Sequence, residues 1–240
     1  MVKVNYFRNL LTKALIILSL FAISVTGNGQ DENSDKAPTI EVGADFVSSY
    51  IWRGMYQAGI SLQPALSISF SGITVGAWGS TGFPANAKEL DLYISYELKG
   101  FSATIGDYWW RGENTPYFRN AGNHHLEATL GYTLSEKIPI YFEINTMLTG
   151  DEDKSDDDHK YYSTYILANY PFTIGSFDCE AGMGITPRKG MYSDKFDVVT
   201  ITAKATKNLQ LSANYTLPVF VELIFSPAQD NAFLVFGIRF

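Results

Sequence analysis

The sequence predicts an all-β protein, a transmembrane up-and-down antiparallel β-barrel of about twelve strands. Three observations support this prediction. Apolar and polar residues alternate along most of the chain, and the connections between the alternating segments are short and long by turns. The chain also ends in an apolar row at every second position from Ala232 to Phe240. Such a row covers one face of a strand, and in a closed barrel the last strand pairs with the first and turns that face to lipid.

The N-terminal residues predict export. An apolar run at 14–25 follows three basic residues and precedes small ones. This order is typical of a secretory signal peptide, which we assign to residues 1–29 with cleavage within Thr26–Gln30. The run is shorter than the roughly 20 residues that a membrane-spanning helix needs. Residues 30–38 are polar and predict a short periplasmic lead-in, and residues 39–240 form the predicted barrel.

The acidic charge of the chain argues against nucleic-acid binding, and its single cysteine excludes an intramolecular disulfide. The chain has a formal net charge of −7, and removal of the predicted signal peptide takes away three bases and no acid. A protein this acidic lacks the basic surface that nucleic-acid binding needs. The single cysteine, Cys179, cannot form an intramolecular disulfide and alternates with Phe177 and Ala181, so we expect it to be a small apolar residue facing lipid. The sequence suggests no cofactor.

The predicted strands follow from the period-2 pattern, which is cleanest between Glu89 and Leu98. Their apolar rows begin at Ile40, Leu66, Ile73, Leu90, Phe101, Leu126, Ile138, Tyr162, Phe177, Val199, Leu211 and Ala232. The predicted short turns are Gly72, Lys99-Gly100, Glu136-Lys137, Gly175-Ser176 and Lys207-Asn208, and the long loops are 54–61, 81–88, 111–123, 149–160, 187–195 and 222–231. Bacterial outer-membrane barrels have short periplasmic turns, longer extracellular loops and an even number of strands.

Aromatic residues collect at both predicted strand ends and indicate two girdles at the membrane interfaces. Those near the long loops are Trp52, Tyr108, Trp109, Trp110, Tyr117, Phe118, Tyr161 and Tyr162. Those near the short turns are Phe70, Phe101, Tyr132, Tyr170, Phe172, Phe177 and Phe240.

Four motifs follow one another over residues 48–93. They are Ser48-Ser49-Tyr50-Ile51-Trp52-Arg53-Gly54, Gln63-Pro64-Ala65, Trp78-Gly79-Ser80 and Glu89-Leu90-Asp91-Leu92-Tyr93. In this order they resemble the N-terminal half of the TorF-type family of bacterial porins. The resemblance implies an outer-membrane β-barrel and supplies no catalytic residues; the second half of the chain matches only in general character.

The residues of opposite parity to the apolar rows form the predicted lumen face. Acids outnumber bases among them, and acidic rings favour cations, so we expect a narrow pore with a weak cation preference. The alternative is an interior in which bases and tyrosines pair with these acids and close the bore, because twelve strands lie between a filled and an open barrel. The predicted pore-lining residues are Glu41, Asp45, Arg53, Glu89, Asp91, Tyr93, Glu97, Glu127, Tyr141, Glu143, Glu180 and Lys204.

Three further features are candidate binding or catalytic sites. Arg53 could bind an anion, but pairing with a lumen acid, with Gly54 beginning a turn, is favoured. His124 and His125 are adjacent on a strand and should point to opposite faces, which disfavours a shared metal ion, and no nucleophile motif accompanies them. The acidic run 151–158 lacks the glycine of a calcium loop and predicts a solvated extracellular loop.

The sequence therefore predicts a non-enzymatic outer-membrane protein that passes small solutes or ions. A non-conducting structural or surface-binding barrel that acts through its extracellular loops is the second hypothesis. The expected partners are outer-membrane lipid and lipopolysaccharide, the barrel-assembly machinery through Phe240, and the solutes or ions themselves.

Overall fold

A computed structural model describes residues 37–83, 88–110, 123–155 and 157–240 and contains a closed barrel of twelve antiparallel strands. In chain order the wall strands are β1 Thr39–Val47, β4 Ser61–Phe70, β5 Ile73–Gly82, β6 Lys88–Leu98, β7 Phe101–Trp109, β8 His124–Thr133, β9 Tyr141–Met147, β10 Thr164–Ile174, β11 Phe177–Thr186, β12 Asp197–Ser212, β13 Tyr215–Ser226 and β14 Asn231–Arg239. Two short strands, β2 Tyr50–Trp52 and β3 Met55–Ala58, form a separate sheet. Within the described residues no helix is long and apolar enough to cross a membrane. The predicted signal peptide lies outside this part of the chain.

The last strand closes the barrel against the first, as predicted. Phe46 of β1 stands opposite Ile238 of β14. The backbones of Ala44 and Phe240 exchange hydrogen bonds of 3.2 and 2.9 Å. The other edge of β1 pairs with β4 over nine residues. Closure leaves no wall strand with a free edge, which is the condition for a sheet in a lipid environment.

The apolar rows face outward, which confirms the predicted sidedness, except that Val199 packs inside against Tyr165 and Tyr192, where the register of β11 and β12 shifts. Val42 is 78% exposed, and Leu234 and Phe236 are 56% and 57% exposed on the closing strand. Six of the seven predicted aromatics at the short-turn end are also exposed, namely Phe70, Phe101, Tyr132, Tyr170, Phe177 and Phe240. An apolar belt of this extent is the exterior of a membrane barrel.

Most connections are short at one end of the barrel and long at the other. Ser71-Gly72 and Lys99-Gly100 have positive φ at both positions, as a two-residue hairpin turn of type I′ requires. The connections at this end are 71–72, 99–100, 134–140, 175–176 and 213–214, and those at the other end are 48–60, 83–87, 110–123, 148–163, 187–196 and 227–230. Four of the five connections at the first end have two residues, as the predicted asymmetry requires, whereas 134–140 is longer than 83–87 and 227–230 at the other end. We call the two ends the short-turn end and the long-loop end.

The predicted turn at Lys207-Asn208 is wrong. β12 runs on to Ser212, Lys207 pairs with Val219, and the chain reverses at 213–214. The predicted loop 222–231 is also too long, because β13 continues to Ser226. Lys207-Asn208 looks like a turn in sequence because both residues are polar, whereas the structure keeps both in β12, paired with Val219 and Pro218. One strand is shorter than predicted: β9 begins at Tyr141, so its predicted start at Ile138 lies within the turn.

Inward-facing aromatic rings lie over glycines of neighbouring strands. A Cβ atom at Gly237 would lie 2.0 Å from the Phe220 ring, and Phe220 is only 9% exposed. The absence of a side chain at Gly237 is thus what lets the ring lie flat against the inner wall. The same arrangement recurs with Tyr93 over Gly76, Tyr141 over Gly131 and Tyr165 over Gly184.

We expect Gly237→Ala to lower the free energy of unfolding by roughly 1–3 kcal/mol, because the packed Phe220 ring must leave its position. Urea unfolding in detergent, followed by tryptophan fluorescence, measures this change. Gly59→Ala is the control, since its Cβ would be 3.4 Å from the nearest atom, the Tyr56 hydroxyl, and should cost little. Equal effects of the two substitutions would contradict this account of the inner wall.

Candidate functional site in the lumen

The connection between β1 and β4 folds into the barrel and forms what we call the inner hairpin, residues 50–58. β2 and β3 pair with each other, and Trp52 stands opposite Met55. Arg53 and Gly54 form its turn with φ of 47° and 75°. A Cβ at Gly54 would lie 2.4 Å from the Ser226 hydroxyl at the end of β13, so the tip packs against the wall. The sequence predicted only a loop at 54–61, because so short a pair of strands carries no periodicity.

Arg53 attaches the tip of the inner hairpin to β8. Its two guanidinium nitrogens donate to the two carboxylate oxygens of Glu127 at 2.5 and 2.8 Å. β8 is separated from β1 by four wall strands in one direction and six in the other, so this ion pair spans the lumen. The Arg53 side chain is 11% exposed and that of Glu127 is 0% exposed. The structural interpretation of Arg53, pairing with a lumen acid, is therefore the one that the geometry favours.

Aromatic side chains surround the Arg53 guanidinium. It lies 4.7 Å from the ring centre of Trp52 and 4.9 Å from that of Tyr165, and it donates to the Tyr192 hydroxyl at 2.5 Å. Burial acts to lower the pKa of Arg53, but the hydrogen bond to Glu127 opposes it, and the net pKa lies above its usual range. The guanidinium thus stays charged, and its charge is met by a carboxylate and by ring faces.

A second aromatic group continues from Trp52 and corrects the predicted girdle at the long-loop end. Trp52 contacts Trp110 with ring centres 5.1 Å apart, and Trp110 stacks on His125 at 4.0 Å. The Tyr108 hydroxyl donates to Glu127 at 2.8 Å. Trp52, Tyr108 and Trp110 therefore line the interior instead of the lipid interface. Tyr162 is exposed as predicted, and Tyr117 and Phe118 lie outside the described residues.

The opposite side of the inner hairpin rests on an apolar patch of the inner wall. Ile51 packs against buried Val47, Phe220, Ile224 and Val235. Apolar residues on the inner face of β13 and β14 are unexpected in a water-filled barrel, and the inner hairpin explains them. The hairpin is thus held by hydrophobic contact on one side of the lumen and by an ion pair on the other.

His124 and His125 have different partners, as their alternation predicted. His124 Nδ1 contacts the Asp107 carboxylate at 2.9 Å, and His125 Nε2 contacts the Glu152 carboxylate. Asp107 stands opposite Leu126 on the outward-facing row, whereas His125 stands opposite inward-facing Tyr108. Among the described residues, no group of three or more His, Cys, Asp or Glu side chains is arranged to hold a metal ion.

The acidic run is only partly the solvated loop that the sequence predicted. Asp151 and Asp158 are exposed and contact Lys154. Asp153, however, is fully buried, and its Oδ1 accepts from the Ser163 backbone N–H at 3.0 Å. Together with Glu152 on His125, this contact draws the loop towards the barrel interior. Asp156 lies outside the described residues.

The predicted lumen residues of the wall lie on the faces opposite to the exposed apolar rows. Glu89 accepts from the Trp110 indole at 2.7 Å, and Glu143 accepts from the Tyr141 hydroxyl at 2.8 Å. The register places Glu41, Asp45, Glu89, Asp91, Tyr93, Glu97, Glu127, Tyr141, Glu143, Glu180 and Lys204 on this inner side. Asp45 pairs with Arg239 at 2.7 Å, a cation that the sequence analysis did not include.

Burial of the inner face changes sharply along the barrel axis. The buried polar residues lie towards the long-loop end and include Ser61, Gln63, Ser80, His125, Glu127, Asn145, Thr186, Thr200 and Ser226. Towards the short-turn end, Glu41, Glu97 and Glu180 are exposed although they also face inward. The barrel is packed where the inner hairpin lies and open below it. We call this open part the vestibule; its charged residues are Glu41, Glu97, Glu143, Asp178, Glu180, Lys204 and Glu222.

The predicted pore-lining set lacks two of the vestibule residues, Asp178 and Glu222. Glu222 lies on β13. It pairs with Lys204 across β12 and β13, and Lys204 lies 4.5 Å from the ring centre of Phe220. Glu222 falls within the predicted loop 222–231, although Val219, Val221 and Leu223 alternate around it. Reading that alternation as far as Ser226 would have identified it.

We expect Arg53→Ala and Glu127→Ala each to destabilise the protein by roughly 3–5 kcal/mol, because each leaves a buried charge without its partner. The double substitution should cost less than the sum of the two, which urea unfolding of all four proteins measures as a coupling free energy. Arg239→Ala is the control, since its side chain is 57% exposed and its pair with Asp45 should contribute about 1 kcal/mol or less. Additive effects at Arg53 and Glu127 would contradict the ion pair.

Comparison with known proteins gives distant likenesses only. No family model matches the chain, and no curated protein matches it. The structure is similar to that of the KdgM porin, with a TM-score of 0.47 and 12% identity over 82% of this chain and 98% of that one. It is also similar to a triple mutant of the Rhodopseudomonas blastica porin, with a TM-score of 0.39 and 12% identity over 80% of this chain and 61% of that one. The resemblance to TorF-type porins over residues 48–93 stays a prediction.

Proposed function

We propose that this protein is an outer-membrane barrel of the porin type that passes small solutes or ions with a weak preference for cations. The observation that carries the proposal is the open, acidic vestibule inside a wall whose exterior is apolar. Water is expected to fill the exposed, charged part of the interior, and lipid is expected to surround the apolar belt.

The charges of the vestibule support a preference for cations. Glu41, Glu97 and Glu180 are exposed to the interior, whereas Lys204 faces Glu222 across one strand pair. The one further inward-facing cation near this end, among the described residues, is Arg239, which Asp45 neutralises. A surplus of carboxylates on a low-dielectric wall raises the local concentration of cations and lowers that of anions.

The inner hairpin sets the narrowest part of the proposed path. Twelve strands enclose more space than eight, which side chains fill, and less than sixteen, which leave a wide channel. The hairpin and the Arg53–Glu127 pair occupy the long-loop half of that space. Any solute therefore passes between the hairpin and the wall or requires the hairpin to move.

The packed long-loop half also favours a second candidate, a non-conducting barrel whose loops bind at the cell surface. Glu127, His125 and Thr186 are completely buried although they face inward. If this packing has no opening, the vestibule is a blind cavity. Conductance of folded protein in a planar bilayer separates the two candidates, because folded protein that carries no current contradicts the pore.

The remaining parts of the proposal concern location and partners. We propose that the chain is exported by its N-terminal segment and inserted from the periplasm, where Phe240 contacts the assembly machinery. Phe240 is 60% exposed, and its backbone is paired to Ala44, so its ring is presented at the barrel surface. The long-loop end is then expected to meet lipopolysaccharide.

We expect the double variant Glu97→Gln/Glu180→Gln to lower the cation-to-anion permeability ratio, because it removes two vestibule charges without changing side-chain size. Lys204→Gln should raise the ratio. Reversal potentials in a planar bilayer under a salt gradient give both values. Lys137→Gln, in the 134–140 turn, is the control and should leave the ratio unchanged. If the permeability ratio of these variants equals that of the unchanged protein, the charges of the vestibule do not determine ion selectivity.

We expect Glu127→Gln to increase single-channel conductance or the frequency of open states, because it weakens the contact that holds the inner hairpin across the lumen. Single-channel recording on refolded protein measures both quantities. Asp45→Asn, which weakens an ion pair away from the hairpin, is the matched control. If the two variants conduct alike, the hairpin is not the constriction.

A further inference from the structure

A furrow crosses the apolar exterior of the barrel over four strands, β12, β13, β14 and β1. Its lower edge is one cross-strand row, in which Lys207 pairs with Val219, Val219 with Ile238 and Ile238 with Phe46. Its volume is about 480 Å³, which is within the range of small-molecule pockets. Cross-strand rows in a barrel run obliquely to the axis, because the strands are tilted.

The second edge of the furrow is the neighbouring cross-strand row. The side chains at the two ends of this row are small, which leaves a depression in the surface. In this row Ala205 pairs with Val221 and Val221 with Phe236, whose backbone N–H contacts the Ser48 hydroxyl at 2.9 Å. Ala205 and Ser48 are small, whereas Phe236 in the middle is large and 57% exposed. The lining is apolar except for Ser48 at one end and Lys207 at the other.

Lys207 is held at the short-turn end of the furrow. Its ammonium donates to the backbone carbonyl of Ser176 at 3.3 Å and to the Ser176 hydroxyl, and it lies 5.3 Å from the ring centre of Phe177. Ser176 belongs to the turn between β10 and β11, so this ammonium lies at the edge of those two strands, whereas β12 itself continues to Ser212. An ammonium has three donors, and these contacts engage Ser176 alone.

We propose that the furrow binds one anionic phospholipid of the inner leaflet, with an acyl chain in the furrow and the phosphate on Lys207. This inference rests on the membrane location in the proposed function, and it goes beyond that function by assigning a specific lipid site. The apolar lining fits the chain, and the cation at the end of the furrow fits the phosphate. The short-turn end is the periplasmic end in barrels of this kind, which selects a phospholipid over lipopolysaccharide.

Native mass spectrometry of the folded barrel with added phosphatidylglycerol or phosphatidylcholine tests the site. The intact protein should retain phosphatidylglycerol on the order of fivefold more than phosphatidylcholine, since one basic residue near the headgroups contributes about that factor. Lys207→Ala should remove this preference, and Ala205→Phe should reduce retention of both lipids by filling the furrow. Lys137→Ala, at the same end of the barrel and away from the furrow, should behave as the unchanged protein.

Three results would overturn the proposal. They are equal retention of the two lipids by the unchanged protein, an unaltered preference in Lys207→Ala, and stronger retention of lipid A than of phosphatidylglycerol. Insertion into vesicles and bilayer conductance are measured on the same preparation. Protein that inserts and conducts but shows no lipid preference contradicts the furrow alone, whereas protein that does not insert contradicts both proposals.

Discussion

The pairing of β14 with β1 is the contact on which the rest of the structure depends. Each wall strand presents a row of backbone N–H and C=O groups at each edge, and a lipid environment offers them no partner. The sheet must therefore return on itself, and the hydrogen bonds between Ala44 and Phe240 are part of that closure. Closure in turn divides every strand into an outer and an inner face, so that apolar residues cover one surface and polar residues fill the other.

The interior is not uniform along the barrel axis: the long-loop half is packed, and the inward-facing acids towards the short-turn end are exposed. In the long-loop half, Arg53, Glu127 and Tyr192 form a buried polar cluster that needs all its hydrogen bonds, because an unpaired charge there costs several kcal/mol. In the vestibule, carboxylates such as Glu97 and Glu180 remain exposed and retain their hydration. The first group holds the inner hairpin, and the second faces solvent. A glutamate on the inner face thus forms a structural ion pair where it is buried, as Glu127 does, and stays hydrated where it is exposed, as Glu97 and Glu180 do.

The exterior is also less uniform than an apolar belt suggests. Most outward-facing positions carry large side chains, but Ala205 and Ser48 in the lining of the furrow are small, and Lys207 places a charge at one end of the furrow. A wall that only excluded water would have no need of this pattern. The exposed aromatics at the short-turn end and the furrow both lie on this exterior surface.

The sequence by itself determined the barrel, its sidedness and the alternation of its connections. These properties depend on a two-residue repeat and on turn residues such as Lys99-Gly100, which are local and visible along the chain. It also identified Arg53, Glu127 and the vestibule acids Glu41, Glu97, Glu143 and Glu180 as facing inward, since parity along a strand is enough for that. It did not extend to the inner hairpin, the inward-facing Trp52 and Trp110, buried Asp153 or the true turn at 213–214. Each of these depends on which residues meet across the lumen or across neighbouring strands, and those distances are set only when the sheet closes.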